Sequence, residues 1–311
     1  MNITMFQDMD TGFMAATLKP AFQALGHTCT VIQVLTTYLE DSPTHIDYLL
    51  KTMTDEQILA LKDIYKETDL FIIRSVTDLT LRISGILPFL NKHNTVFKVH
   101  GSELRENNVP YSLRTWRINW HNKEPLLLAP REPTLAPLYR SHTLTHIERP
   151  CAFDTFPKKK QNKVQPFALT AATNFERKGT QTLIDTWKSK SIPLHAIQGV
   201  PRTEVLHTKA QCSFFIDNII SHKQAAFYNM NSVEAWFYKV PVFAHYNPID
   251  EVIVPQLSKL IILSNKDSIQ HNIEAYIPDS KALSYAHKYA ITTHDPFSIA
   301  QQYIHLLSYI H

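Results

Sequence analysis

The chain has 311 residues, of which 44% are hydrophobic and 19% charged, and its 31 Lys and Arg against 28 Asp and Glu give a formal charge of +3. These values exclude a disordered chain, a coiled coil and a collagen-like repeat, and at roughly 100–200 residues per domain they predict two domains. The charge is too small to demand a nucleic-acid partner, six glycines exclude a site built from several Gly-rich loops, and three well-separated cysteines (Cys29, Cys151, Cys212) exclude a disulfide framework or a CxxC metal site and point to a reducing, cytoplasmic compartment. The N-terminus lacks the charged and apolar regions of a signal peptide, and no apolar run approaches the ~20 residues of a membrane span.

The first forty residues predict a strand, a loop, a helix and a strand. Asn2 to Phe6 is β-prone, Gln7 to Phe13 is polar, and Met14 to Leu25 carries Leu18, Phe22 and Leu25 at helical spacing. Gly26 is placed to stop that helix, and Cys29 to Val34 is rich in β-branched residues. A βαβ opening predicts a parallel sheet with a ligand crevice at the carboxyl ends of its strands. Asp55 to Lys66 then reads as a helix, Leu70 to Arg74 as a strand, Leu79 to Lys92 as a helix broken near Gly85 and Pro88, and Val96 to Val99 as a strand. Residues 107 to 150 are Pro-rich and less regular, with short apolar runs such as Leu126 to Leu128, and read as a region between domains.

A second α/β pattern begins near 151. Strands are predicted over Pro166 to Ala172, Leu194 to Gln198, Cys212 to Ile216, Val240 to Ala244 and Leu260 to Leu263. Helices are predicted over Thr180 to Lys188, Thr203 to Ala210, Ser232 to Tyr238 and Pro296 to Ile310, the last with Ile299, Tyr303, Leu306, Leu307 and Ile310 on one face.

Several stretches carry a family likeness, in the family's order. They are Ala24-Leu25-Gly26-His27 before the second strand, Val99-His100-Gly101-Ser102-Glu103, Arg149-Pro150-Cys151-Ala152-Phe153-Asp154, Glu176-Arg177-Lys178-Gly179 with Leu183 to Trp187 behind it, and Asn231-Ser232-Val233-Glu234-Ala235-Trp236 before Pro241-Val242. Together they resemble a GT-B-fold glycosyltransferase, nearest the retaining family-four type. The resemblance implies an α/β GT-B fold of two Rossmann-like domains facing a cleft. Residues 1–150 with a returning helix 296–311 are expected on the acceptor side, and 151–295 as the nucleotide-sugar domain. Departures are visible. Counting eight positions back from Glu234 reaches Ala226, so the first of the family's paired glutamates is missing; Phe227-Tyr228-Asn229 stands where a GFG turn is expected; and Thr173 stands where the family has a phosphate-binding arginine.

The chemistry expected from these residues is sugar transfer from a nucleotide sugar, UDP-linked, in which the departing diphosphate must be stabilised as the glycosidic bond breaks. Asp8-Met9-Asp10 has the spelling of a metal-binding Asp-x-Asp element but follows the first strand and reads as a loop coincidence. The site is therefore expected to be metal-independent and without a cofactor, the nucleotide sugar being a co-substrate. Arg177 and Lys178, followed by Gly179 and a helix start, suit phosphate contact as well as a solvated basic turn. By resemblance the donor set is Gly12, Thr173, Arg177, Lys178, Asn231, Ser232 and Glu234. Glu234 would accept hydrogen bonds from ribose hydroxyls, or serve only as a first-turn acid stabilised by the helix dipole, and the backbone N–H groups of Asn231 to Val233 would meet the diphosphate. His100 and Glu103 are the expected catalytic residues, with Arg105, Lys158, Lys159 and Lys160 on the acceptor. Retention is implied, by a same-face displacement assisted by the leaving phosphate.

The acceptor is a glycan, a lipid-linked sugar, or a hydroxymethylated pyrimidine in DNA, as in phage transferases of this fold. The basic stretch Lys158 to Lys163 is the sequence feature that bears on DNA. His142 and His146 have the spacing of a metal pair but lie in a segment that reads as strand or loop. Two other readings use the same scaffold: a catalytically inactive GT-B-like binding protein, suggested by the missing glutamate and arginine, and a nucleotide-sugar epimerase.

Overall fold

The computed structural model describes residues 1–10, 13–36, 44–74, 78–91, 93–98, 126–129, 144–158, 166–172, 175–219, 228–246, 251 and 256–310. They divide into two compact units, one taking the chain to Pro150 and the helix from Pro296, the other taking Cys151–Asp295.

The first unit is built on a seven-stranded sheet of order β3-β2-β1-β4-β5-β6-β7, every pair parallel. The strands are β1 (Asn2–Gln7), β2 (Thr28–Gln33), β3 (Tyr48–Leu49), β4 (Leu70–Arg74), β5 (Thr95–Lys98), β6 (Leu126–Ala129) and β7 (Leu144–His146). Residues 107 to 150, expected to be an irregular region between domains, instead supply β6 and β7. The short apolar run at Leu126 is a strand because a parallel sheet covered on both faces takes unbroken apolar runs.

Period-two alternation sorts the side chains of each central strand. Ile3, Met5, Leu70 and Ile72 face helix α1 (Met14–Ala24), while Phe6, Phe71 and Ile73 face helix α2 (Asp55–Lys66) on the other side. Thr54 and Gln57 start α2 with a capping box. Gly26, at φ +82°, ends α1 in the left-handed region that glycine enters without penalty. The helix expected over Leu79 to Lys92 is shorter: α3 (Asp78–Ile83) stops before Gly85, and a single 3-10 turn, Leu87–Phe89, follows around Pro88. The last helix, α10 (Pro296–Ile310), lays Ile299, Ala300, Tyr303 and Leu307 against Met14, Leu18 and Phe22 of α1.

The second unit has a five-stranded parallel sheet of order β12-β11-β10-β8-β9. Its strands are β8 (Ala168–Ala171), β9 (Leu194–Ile197), β10 (Phe214–Ile216), β11 (Val242–Ala244) and β12 (Ile261–Leu263). Helices α4 (Phe175–Lys178), α5 (Thr180–Thr186), α6 (Arg202–Lys209), α7 (Met230–Phe237), α8 (Ile269–Glu274) and α9 (Ser280–Thr293) complete it. Leu169, Phe215, Val242 and Ala244 pack with Leu206 of α6, Val233 and Trp236 of α7 and Ala290 of α9; Ala168, Ile216 and Phe243 pack with Leu183 of α5 and Ile269 of α8 on the opposite face. Among the described residues no helix is long and apolar enough to cross a membrane.

Both sheets contain a point where strand order reverses, between β1 and β4 in the first unit and between β8 and β10 in the second. Open α/β sheets bind ligands outside the carboxyl ends of the strands at such points.

Candidate functional site

At the reversal point of the second unit, charged and amide side chains converge on the N-terminus of α7. Asp217 directly follows β10 and is buried. Its carboxylate accepts hydrogen bonds from Lys178 Nζ at 2.8 Å, from Asn229 Nδ2 at 2.8 Å and from the Ser232 hydroxyl. Burial alone would raise the Asp217 carboxyl; the adjacent Lys178 charge and the three hydrogen bonds outweigh it and hold the carboxyl below the usual range. One residue thereby ties together α4, β10 and α7.

Glu234, in the second turn of α7, is only 4% exposed. One carboxylate oxygen accepts from Arg202 Nε at 3.0 Å and the other from the buried Lys209 ammonium. Burial again works against ionisation, but Lys209 first and Arg202 second hold the carboxyl below its ordinary range. Lys209 also donates to Asn231 Oδ1 at 2.9 Å, and Asn231 Nδ2 donates to the Ala171 carbonyl at the end of β8 at 3.0 Å. Lys178 pairs with Asp217, while Arg202 and Lys209 both pair with Glu234. Lys178, with 25% of its side chain exposed, is the cation of the three best able to reach a ligand.

Several expectations change here. The backbone N–H groups at the start of α7, expected to meet a diphosphate, are already bonded: Asn231 N–H donates to Asn229 Oδ1 at 2.8 Å, and the N–H groups of Ser232 and Val233 donate to the Asn229 carbonyl. Asn229 is the N-cap, with extended backbone at φ −139°, so the glycine of a GFG turn is not needed at this position. Ser232 is fully buried and its hydroxyl donates to Asp217, which steadies the start of α7. Helix structure begins at Phe175, before the basic pair, and Gly179 at φ 72° separates α4 from α5. Arg177 lies in α4, and its side chain is outside the described residues. Lys158 is exposed in a loop. Gly12, His100, Glu103, Arg105, Lys159, Lys160 and Thr173 lie outside the described residues, as does His142.

Four residues of this cluster escaped the sequence reading: Asp217, Arg202, Lys209 and Asn229. Asp217 left a signal, an acid directly after an apolar strand in a parallel sheet. Arg202 and Lys209 are the first and last residues of a short helix and carry no local mark of their inward direction.

In the first unit the second acid of the Asp-x-Asp spelling is structural. Asp10 is fully buried; it accepts from Arg74 at 2.7 Å and from the N–H groups of Met14 at 2.7 Å and Ala16 at 3.0 Å, which anchors the start of α1. Among the described residues no cluster of three metal-ligating side chains occurs.

The two reversal-point sheets, with a C-terminal helix returning to the first unit, can be set beside known structures. An alpha-glucosyltransferase in complex with UDP and a 13-mer DNA containing a central A:G mismatch matches with a TM-score of 0.65 at 12% identity, over 99% of this chain and 100% of that one. Anabaena HepE in complex with UDP matches with a TM-score of 0.64 at 12% identity, again over 99% and 100%. The fold is GT-B. The same GT-B architecture extends to a putative UDP-N-acetylglucosamine 2-epimerase from Listeria monocytogenes, with a TM-score of 0.57 at 11% identity over 97% of this chain and 94% of that one. No protein-family model and no curated protein matches the sequence.

Proposed function

We propose that this chain is a glycosyltransferase that moves a sugar from a UDP-sugar to a hydroxyl acceptor, with retention and without a metal or cofactor. The observation that carries the reading is the ion-paired cluster at the β8/β10 reversal point, where Lys178 stands part-exposed beside Asp217. A diphosphate leaving group gains negative charge as its bond to the sugar breaks, and a pre-positioned cation at the end of a parallel sheet stabilises it. The UDP-bound structures that share this fold support the choice of nucleotide.

Within this reading Lys178 and Arg177 contact the diphosphate, Asn231 lies beside the nucleotide, and Glu234 uses the lone pairs left by Arg202 and Lys209 to accept from the ribose. Gly12 and Thr173 complete the donor set. His100 and Glu103 act at the reacting carbon, and Arg105 and Lys158 to Lys160 contact the acceptor. The acceptors to test are a glycan, a lipid-linked sugar and a hydroxymethylated pyrimidine in DNA; the last gains interest from the DNA held by the alpha-glucosyltransferase of the same fold. Transfer is proposed to proceed on one face of the sugar, the acceptor proton passing to the leaving phosphate.

The test is a thermal-shift screen of UDP-, GDP- and ADP-sugars, followed by mass spectrometry of acceptors incubated with the donor that binds. UDP-sugar binding with an acceptor heavier by one α-linked sugar is expected, and Lys178→Ala should cut turnover at least tenfold and, by leaving buried Asp217 without its cation, also lower the melting temperature. No shift with any nucleotide sugar, or a β-linked product, overturns the corresponding part of the reading. The epimerase neighbour motivates a second reading, which an isomerised UDP-N-acetylglucosamine formed without acceptor would establish.

A further inference from the structure

Lys178 is tied at both ends to the segment that follows β10. Its backbone carbonyl accepts from the Ile219 N–H at 3.3 Å, and its ammonium donates to Asp217 Oδ1 at 2.8 Å. The residue closes α4, a helix of only four residues, and Gly179 after it turns into the left-handed region. One turn of helix is marginal by itself and does little to fix a side chain. A lysine ammonium rides on a flexible four-carbon stem and spreads over many positions unless something holds it. Among the described residues Asp217 is the one hydrogen-bond or ion-pair partner of the Lys178 side chain.

Asp217 is itself fixed from several sides. Its N–H donates to the Phe243 carbonyl at 3.0 Å, which carries the β10–β11 pairing one residue past the strand. Oδ1 also accepts from Asn229 Nδ2 at 2.8 Å, and Oδ2 accepts from the Ser232 hydroxyl, both donors belonging to the start of α7. Its side chain is only 2% exposed, so water competes little for these bonds. Burial opposes the charge, but Lys178 and the three hydrogen bonds outweigh it and keep the acid ionised. A rigid buried carboxylate therefore grips one end of a part-exposed cation. An ammonium has three N–H donors; Asp217 takes one, and two remain for a ligand.

We infer that Asp217 is a positioning residue for transfer, fixing the Lys178 ammonium beside the end of β10 before the leaving diphosphate gains its charge. The inference rests on the glycosyltransferase reading, in which Lys178 contacts the diphosphate, and adds to it the residue that aims this contact. The whole arrangement lies within the second unit. A cation placed in advance lowers the barrier because nothing has to reorganise as the glycosidic bond breaks. Asp217 touches no substrate. Its negative charge also opposes that of the diphosphate, so it favours the transition state more than the bound donor, and its loss should appear in kcat more than in KM.

The experiment uses the full chain, UDP-glucose and UDP-N-acetylglucosamine as donors, and three hydroxyl acceptors: a duplex containing hydroxymethylcytosine, octyl glucoside and glycerol. Rates are measured with the fastest wild-type pair, well below the melting temperature of every variant. Asp217→Asn keeps the side-chain volume and should lower kcat about tenfold, with the donor KM changed by less than about threefold. In a Lys178→Ala background the same substitution should change kcat by less than about twofold, because the ammonium it positions is gone. Ser232→Ala removes one bond to the carboxylate and carries the test should Asp217→Asn not fold; its loss of about threefold should likewise vanish in the Lys178→Ala background. A loss of the same factor in both backgrounds, or wild-type kcat in Asp217→Asn, overturns the assignment and leaves the glycosyltransferase reading standing. Wild-type kcat in Lys178→Ala overturns the assignment together with the phosphate contact. Transfer by the wild type from neither donor overturns the glycosyltransferase reading and the assignment with it.

Discussion

Lys209 is fully buried, with its ammonium between Glu234 and Asn231 and over the ring of Phe215, 4.8 Å from the ring centroid. Glu234 cannot stay ionised at 4% exposure without such a partner, since an unpaired buried carboxylate is too costly to keep. Lys209→Met keeps the length and apolar stem of the side chain but leaves Glu234 with Arg202 alone. It should cost about 3 kcal/mol in urea unfolding at pH 7. The loss should shrink in acid, and the sign follows from linkage. The Glu234 carboxyl lies lower in the folded chain than in the unfolded one, so its contribution is full above the unfolded value and fades as pH falls below about 4.5. A variant equally destabilised at pH 7 and pH 3 would show that the charge pair is not what Lys209 supplies. The carboxylate was legible in the sequence because it stands in the stretch that resembles the family motif. Its partners lie 25 and 32 residues away, and nothing local marks them.

Helix α7 shows how this chain manages with few glycines. Its start is capped by Asn229, which takes the first N–H groups itself. Its end turns through Lys239, exposed and at φ 55°, with Val240 N–H bonded back to the Ala235 carbonyl. A non-glycine residue in that region costs about 1–2 kcal/mol, partly offset by the greater freedom a glycine would lose on folding. Lys239→Gly should therefore stabilise the protein by roughly 1 kcal/mol, read as a higher urea midpoint at unchanged slope; a destabilised variant would mean the Lys239 side chain contributes more than its backbone costs. The periodicity of residues 232 to 238 gave away the helix, whereas its ends depend on Asn229, a favoured N-cap residue standing upstream of the periodic stretch, and on Lys239, which has no propensity for its left-handed turn. Helix α9, with Asp279 as N-cap accepting from Lys281 and Ala282, was not predicted; its fully buried residues are Ala286 and Ala290, with Tyr285 and Tyr289 packed part-buried beside them.

The first unit is closed by the chain's last helix. Ile299, fully buried in α10, packs in one cluster with Met14, Leu18 and Phe22 of α1 and with the strands below. Ile299→Ala should destabilise this unit by about 2–5 kcal/mol through lost burial and the cavity left behind. Hydrogen exchange localises the effect: amides of β1 and β4 should lose protection while those of β8 and β10 keep theirs. Equal loss in both sheets would show that the units unfold as one.

Hydrophobic periodicity is a local signal, and it revealed β1, β4, α1, α2 and α10 because their apolar residues recur at strand or helix spacing within a few turns of chain. Pairing is a long-range property. Which strands adjoin, that the run at Leu126 completes a sheet, and that Asp217 meets Lys178 across 39 residues depend on the crossover connections, and these become visible only when the strands are laid side by side. The motifs pointed to a diphosphate; the fold decided which polar residues, like Ser232 and Asp10, are bonded internally and hold the others, because a buried polar group must find its partner wherever the chain brings one.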